Sequence, residues 1–157
     1  APFTIGLGPG FVAGGNADLV VETAWGDALG QVIRTGGARP YSGEPRSLGG
    51  HGRERYVYAP VEGLLRTTFV IGAAVREGEE VARIGDTPVQ APLTGILRGL
   101  THDGASVAIG TKIVEVDARG DPSAAFGIGE RPGRIAAGVV AAFRQAPGSG
   151  GRPEVIA

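Results

Sequence analysis

One stretch of the chain is repeated almost letter for letter. "APVEGLLR" at residues 59–66 returns as "APLTGILR" at residues 91–98, 32 positions later. When residues 59–84 are placed over residues 91–116 without a gap, nine positions are identical, and several others exchange one apolar side chain for another. Glycines kept in phase imply the same turns, and apolar residues kept in phase imply the same inward faces.

A repeat of this length restricts the fold. A few short strands cannot bury their apolar side alone, so each copy needs the other as a second layer. We therefore expect two matching small sheets that are related by a pseudo-two-fold axis and packed into a flattened sandwich or barrel. The predicted fold class is mainly β, with a strand-rich N-terminal segment before the repeats and one helix after them.

Composition excludes several classes of protein. The 157 residues include 15 basic and 16 acidic side chains, so no strong field attracts nucleic acid or an anionic membrane. No apolar run reaches the roughly 18 residues of a membrane-spanning helix, and no signal peptide is recognisable, so we expect a cytoplasmic protein. With no cysteine and two histidines, disulfides, thiolate sites and multi-histidine metal centres are excluded.

The pattern predicts four segments along the chain: a strand and loop segment at 1–52, the repeat body at 53–121, a helical segment at 122–145 and a flexible tail at 146–157. In the first of them, "FTIGLGPGF" is typical of a strand entering a glycine turn, "DLVVET" of a buried strand and "LGQVIR" of its antiparallel neighbour.

The last regular element is predicted to be a helix. In "RPGRIAAGVVAAFRQ" an apolar stripe is formed by Ile135, Val139 and Phe143, with Val140 beside them. Gly138 lowers the helix propensity, but a residue this small permits close packing.

The repeat region resembles the biotinyl and lipoyl carrier domains. Its "APVEGLLRTTFVIGAAVREGEEVARIGD" has the Ala-Pro-x-x-Gly entry and the later Val-x-x-Gly-x-x-Val spacing of those domains. The resemblance implies a barrel-sandwich hybrid fold. Carriers hold their cofactor on a lysine between the two halves, where this chain has "IGDTPVQAP" without lysine, and its one lysine is Lys112. We therefore expect no covalent biotin or lipoate.

A second resemblance extends from about residue 2 to residue 143. "IGLGPGFVAG", "DLVVET", "DTPVQAPLTGILRGL" and "DARGD" are similar to the C-terminal half of the YqeB-like family of the selenium-dependent molybdenum hydroxylase system. The resemblance implies a role in maturing or supplying molybdenum hydroxylases, with the hydroxylase, its maturation machinery and a Rossmann-like half as partners. After the strand "DLVVET" that family commonly has Arg-Gly-His, whereas this chain has Trp25-Gly26-Asp27.

The glycine turn is the first candidate for ligand binding. Backbone N–H groups around Gly6, Gly8 and Gly10 can cradle a phosphate. The spacing is G-x-G-x-G rather than G-x-G-x-x-G, and Pro9 removes one donor, so a plain tight turn is the favoured interpretation.

Arg39 and Arg46 are further candidates, because they lie in the long aperiodic loop at residues 35–52 and their forked donors suit a phosphate or a pterin-like anion. Asp86 and Thr87 lie at the junction of the repeats, where relatives of this fold place their working group. Ordinary turn chemistry also explains an Asp-Thr-Pro sequence, and it is the favoured interpretation.

The preferred function is a non-catalytic accessory or ligand-binding module near molybdenum hydroxylase maturation. Two alternatives stay open: an enzyme domain acting on a nucleotide or pterin-like substrate, and a scaffold that docks other proteins. No serine, histidine and acid fall into a recognisable nucleophile pattern.

Overall fold

The computed structural model describes residues 2–40, 42–146 and 154–156. Over these residues the fold is mainly β with one α-helix, as the sequence predicts. Its elements in chain order are β1 (Thr4–Leu7), β2 (Val12–Ala13), β3 (Leu19–Val21), β4 (Val32–Ile33), β5 (Gly36–Gly37), a 3₁₀-helix (Arg53–Arg55), β6 (Tyr56–Tyr58), β7 (Gly63–Arg66), β8 (Ala74–Val75), β9 (Glu80–Ile84), β10 (Thr87–Gln90), β11 (Gly95–Leu100), β12 (Ser106–Val107), β13 (Lys112–Asp117), a second 3₁₀-helix (Pro122–Ala125), α1 (Glu130–Phe143) and β14 (Glu154–Ile156).

The chain divides into two compact units. The first contains Ala1–Gly43 and Ile128–Ala157, and the second contains Glu44–Gly127. The two ends of the chain therefore fold together, whereas the sequence pattern assigns them to separate segments. Within residues 146–157, predicted to be a flexible tail, Glu154–Ile156 form β14, and residues 147–153 and 157 lie outside the described part.

The first unit contains a four-stranded sheet with the order β14-β1-β3-β4. β1 runs parallel to both β14 and β3, whereas β4 is antiparallel to β3. The predicted antiparallel pair of "DLVVET" and "LGQVIR" is confirmed, with Val20 opposite Ile33. β3 consists of three buried aliphatic residues, which is typical of a strand covered on both faces. β2 and β5 form a separate short ribbon.

The helix α1 packs on this sheet, and one glycine sets its distance. A Cβ at Gly138 would lie 2.2 Å from the carbonyl oxygen of Gly30 and 2.8 Å from Cγ1 of Val21, so the helix backbone approaches as closely as the missing side chain allows. The predicted apolar stripe is only partly correct. Ile135 and Val139 pack against the core, but Phe143 is 53% exposed and Val140 is 49% exposed, and Ala142 is the fully buried residue instead.

The second unit contains two antiparallel four-stranded sheets. Their orders are β10-β9-β7-β12 and β6-β13-β11-β8. Both are open, and no sheet among the described residues closes into a barrel. One apolar core fills this unit, and its buried members are Ala59, Leu65, Val75, Val81, Ala82, Ile84, Val89, Ala91, Leu97, Val107, Ile113, Val114 and Val116. Most of these residues are apolar positions that the duplication keeps in phase.

Among the residues that the structure describes, no helix combines the length and apolar character needed to cross a bilayer.

Candidate functional site

The first unit brings together the carboxyl ends of two neighbouring parallel strands. β1 leads into the glycine turn at residues 8–10, and β3 leads into the loop at residues 22–26. In sheets with parallel strands, ligands commonly bind beyond these carboxyl ends. We call the loop at residues 22–26, together with Arg39 and Arg131, the loop site.

A buried carboxylate organises the loop site. Glu22 is 3% exposed, and its Oε1 accepts hydrogen bonds from the backbone N–H groups of Thr23 and Ala24, both at 2.8 Å. Its Oε2 accepts the backbone N–H of Arg39 at 2.9 Å. A buried carboxylate is stable only when its oxygens are satisfied in this way. The single side chain thus fixes two loops that are distant in sequence.

Two arginines and an aromatic ring lie at the loop site. Arg131, from the first turn of α1, donates from Nε to the carbonyl oxygen of Thr23 at 2.8 Å. Nη1 of Arg39 lies 3.6 Å from the position that a Cβ of Gly26 would occupy, and Trp25 beside that glycine is 37% exposed. Among the described residues neither Arg39 nor Arg131 has an ion-pair partner, so the loop site contains two arginines whose charges no acidic side chain neutralises.

The glycine turn has a packing role in this structure. A Cβ at Gly6 would lie 2.4 Å from Cγ of Phe11, and one at Gly8 would lie 2.4 Å from Oγ1 of Thr23. The N–H of Gly8 is already bonded to the carbonyl oxygen of Val21 at 3.0 Å. Gly10 has a φ of +95° and open space at its missing Cβ. The N–H of Gly8 is therefore taken within the protein, and the glycines of this turn hold the loop after β3 close to β1.

Asp86 and Thr87 belong to a hairpin of the second unit. Thr87 pairs with Ile84, so that Gly85 and Asp86 form a two-residue turn between β9 and β10. Gly85 has a φ of +58°, as a hairpin turn with glycine in first position requires. The carbonyl oxygen of Asp86 accepts a hydrogen bond from Nη2 of Arg83 at 3.0 Å. Turn geometry thus accounts for this sequence.

Arg46 also lies in the second unit, where its carbonyl oxygen accepts a hydrogen bond from Nη2 of Arg55 at 3.3 Å. Arg55 is 4% exposed, and its guanidinium also bonds to the carboxylate of Glu115 and to the hydroxyl of Tyr56. Burial raises the pKa of Glu115, but the hydrogen bonds and charges of Lys112 and Arg55 outweigh burial and hold that pKa below its usual value. This cluster holds the chain before β6 against β13.

The predicted candidates therefore fall into two groups. Gly6, Gly8, Gly10 and Arg39 belong to the first unit, and Arg46, Asp86 and Thr87 belong to the second. No group of three or more acidic, histidine or cysteine side chains among the described residues is arranged to hold a metal ion.

Sequence reasoning missed two residues of the loop site. Its place at the end of an apolar strand predicts a solvated side chain for Glu22, and this prediction is wrong, because the carboxylate is buried and accepts the N–H of Arg39. The signal was weak: an acid directly after three buried apolar residues. Arg131 was hidden within a helical pattern, and only the tertiary contact with Thr23 reveals its position.

Comparison with known proteins finds sequence similarity to a bacterial protein. The uncharacterized protein YqeB of Escherichia coli strain K12 is 42% identical over 143 residues, which cover 91% of this chain and 26% of that protein. This chain is therefore similar to YqeB over most of its own length. It spans about a quarter of the length of that curated relative. No protein-family model matches the chain.

Among solved structures, the product-bound ectoine utilization protein EutE (DoeB) from Ruegeria pomeroyi is similar over 41% of this chain and 22% of its own. The sequence identity is 21% and the TM-score is 0.33. That score is too low to indicate a shared fold.

Proposed function

We propose that the chain is a non-catalytic ligand-binding module that recognises a small aromatic anion, such as a nucleotide or a pterin-like molecule, at the loop site. The observation that carries the proposal is the Glu22 carboxylate, which is buried and bonded to three backbone N–H groups. A carboxylate in this position fixes both loops before any ligand arrives, and preorganisation of this kind lowers the entropic cost of binding.

The groups around that carboxylate define the class of ligand. Forked guanidinium donors of Arg39 and Arg131 suit phosphate and carboxylate oxygens. The half-exposed ring of Trp25 suits a flat heteroaromatic system, which stacks on indole through dispersion and quadrupole interactions. Together these groups favour a ligand that has a planar ring and a negative charge.

Intrinsic fluorescence tests the proposal directly, because Trp25 is the one tryptophan of the chain. Titration with adenosine monophosphate, pterin-6-carboxylate and molybdate is expected to change the emission with the two aromatic anions and to leave it unchanged with molybdate. The substitution Arg39→Gln keeps the backbone bond to Glu22 and is expected to weaken binding about tenfold through loss of a charge-assisted contact.

Arg34→Gln is the matched control, since it removes another exposed arginine from the same unit. Its affinity is expected to equal that of the unmodified protein. A flat titration with both aromatic anions, or equal affinities of the Arg39→Gln and unmodified proteins, would contradict the proposal.

The wider role that we propose is in maturing or supplying a molybdenum hydroxylase. The resemblance of the glycine turn and of the junction at residues 84–92 to the YqeB-like family supports it, as does the 42% identity with YqeB. Affinity purification of the chain from cells that express such an enzyme is expected to recover the hydroxylase or a maturation protein. Recovery equal to that from cells lacking the hydroxylase genes would contradict this role.

For the second unit we propose the barrel-sandwich hybrid fold without its prosthetic group. The two sheet orders support the proposal. With the 32-residue offset of the repeat, each strand of β10-β9-β7-β12 corresponds to the strand at the same place in β6-β13-β11-β8. A crystal structure tests it, since β6–β9 are then expected to superpose on β10–β13 by a rotation of about a half-turn. Unlike packing of the two halves would refute it.

A further inference from the structure

The second unit has a groove whose lining residues are all different from those of the loop site. It has a volume of about 360 Å³, at the lower end of the usual size of small-molecule sites. The groove is lined by Arg66, Thr67, Thr68, Phe69, Glu80, Val81, Ala82, Arg83 and Asp103. We call it the β7–β9 groove.

The groove forms because the pairing of β7 with β9 stops early. The last paired residues are Arg66 and Arg83, which lie directly opposite each other. Beyond them, Oγ1 of Thr67 donates to the carbonyl oxygen of Val81 at 2.6 Å and accepts the N–H of Phe69 at 3.1 Å. The side chain thus takes the place of a ladder hydrogen bond, and the two backbones separate.

Two arginines face each other at the mouth of this groove, an arrangement that is unfavourable by itself. Each is held by one acidic side chain. Nη1 of Arg66 lies 3.2 Å from Oδ2 of Asp103, and Nη1 of Arg83 lies 3.2 Å from Oε1 of Glu80. The side chains of Arg66 and Arg83 are 64% and 49% exposed, so both stay accessible to a ligand.

Both arginines of the groove keep N–H donors that their contacts with protein groups do not use. Both oxygens of Asp103 are occupied, one by Arg66 and the other by the N–H of Thr67 at 2.9 Å. A guanidinium has five N–H donors, and Arg66 uses one of them in the contacts described, so its remaining donors suit an anionic group. Phe69 adds an apolar wall, since its ring is half-buried against the core.

We infer that the β7–β9 groove binds a small organic anion, with a phosphate or carboxylate between Arg66 and Arg83 and an apolar body against Phe69. A pair of forked donors held by neighbouring acids recognises tetrahedral or planar oxyanions with little loss of side-chain entropy. Thr68, which is exposed beside Phe69, supplies a hydroxyl at the same wall. This site is independent of the loop site, so either can exist without the other.

Amide chemical shifts of the ¹⁵N-labelled chain test the inference, with phenyl phosphate and phenylacetate as probes. At low salt, both probes are expected to shift the amides of residues 66–69 and 80–83, and the ratio of their affinities tells a phosphate site from a carboxylate site. Inorganic phosphate, which lacks the apolar body, is expected to bind at least about tenfold more weakly than phenyl phosphate.

The arginine variants complete the test. Arg66→Gln and Arg83→Gln are each expected to weaken phenyl phosphate binding about tenfold, whereas Arg76→Gln, an exposed arginine outside the groove, is expected to leave it unchanged. All three lie on the surface, so their spectra without probe report whether the fold is retained. Shifts that map outside the groove, equal affinity for inorganic phosphate, or unchanged affinity in both groove variants would overturn the inference.

Discussion

The strand pairs β7–β9 and β11–β13 come from the two copies of the duplicated sequence. The pairing of β7 with β9 ends early, whereas the pairing of β11 with β13 continues. Leu65 opposite Ile84 corresponds to Leu97 opposite Val116, and all four are buried. After these residues β7 ends at Arg66, whereas β11 bulges and pairs on to Leu100.

Two substitutions between the copies account for that difference. At the position of Thr67 the second copy has Gly99, whose missing Cβ would lie 3.1 Å from Cβ of Glu115, so that the strands approach closely. At the position of Arg83 it has Glu115, which is occupied by Arg55 and Lys112. Equal cores thus tolerate unequal strand ends, and the groove arises where the pairing of the two central strands β7 and β9 ends.

The largest expected effect is a loss of stability from changes in the apolar core that the two copies share. Leu65→Ala and Leu97→Ala each remove a fully buried side chain and are expected to lower the free energy of unfolding by about 3 kcal/mol, because a cavity remains in the common core. Urea denaturation of the two variants measures this cost. If one variant lost less than half as much stability as the other, the two copies would not contribute equally to one core.

A smaller effect concerns an acid that only the second copy has. Asp117 is 1% exposed and receives a forked pair of hydrogen bonds from Arg119, whereas the first copy has Gly85 at the corresponding position. Those hydrogen bonds hold the pKa of Asp117 below its usual value. The stabilisation is therefore fully present above the pKa of the unfolded chain, about 3.9, and is lost as the pH falls through the lower pKa of the folded protein.

Asp117→Asn is expected to cost about 1–2 kcal/mol at neutral pH and less in acid. Denaturation between neutral pH and strongly acidic pH measures the difference. Asp103→Asn is the comparison, because Asp103 pairs with Arg66 at the end of β7 and its side chain is exposed, so we expect a smaller change. An equal loss of stability at all pH values in Asp117→Asn would show that the ion pair is not the cause.

Thr67 is the position at which the second copy has glycine, and its substitution by glycine is expected to lower the free energy of unfolding by a similar or slightly smaller amount. Thr67→Gly removes the hydrogen bond to Val81 and adds backbone freedom, for a loss of about 1–2 kcal/mol. Phenyl phosphate binding is expected to weaken with it, because the spacer that opens the groove is gone. Thermal unfolding and the same amide titration measure both effects. Unchanged stability in Thr67→Gly would contradict the role given to its hydroxyl.

The smallest expected effect is that of charge where the pairing of β7 with β9 ends. Arg83→Glu gives the first copy the residue of the second and replaces a like-charge pair with an opposite-charge pair, so stability is expected to change by less than about 0.5 kcal/mol. Anion binding in the β7–β9 groove is expected to be lost nevertheless. Paired denaturation and titration measurements separate the two effects, and retained binding would contradict the groove assignment.

The parts of the fold that the sequence predicts correctly depend on local pattern. The antiparallel pair β3–β4 follows from two apolar runs around a turn, and α1 follows from apolar spacing and alanine content. The parallel pairing of β14 with β1 joins residues at opposite ends of the chain, and no local pattern indicates it.

The site residues were less predictable for the same reason. The sequence indicates a special role for Gly8, but the partner Thr23 lies at the end of another strand, so packing and phosphate binding cannot be told apart from the sequence. Glu22 acquires its role only when the loop of Arg39 folds over it. In the groove, the side chain of Thr67 acts through Val81, a partner fixed by strand register rather than by spacing along the sequence.

The contact between Gly138 and Gly30 has a consequence for the order in which the two units fold. It joins backbone from near the start of the first unit to backbone made more than a hundred residues later, whereas the second unit is one uninterrupted stretch. On a ribosome, where synthesis proceeds from the N-terminus, the second unit is complete first. The strands β1 and β3 then stay uncovered on one face until α1 has been synthesised.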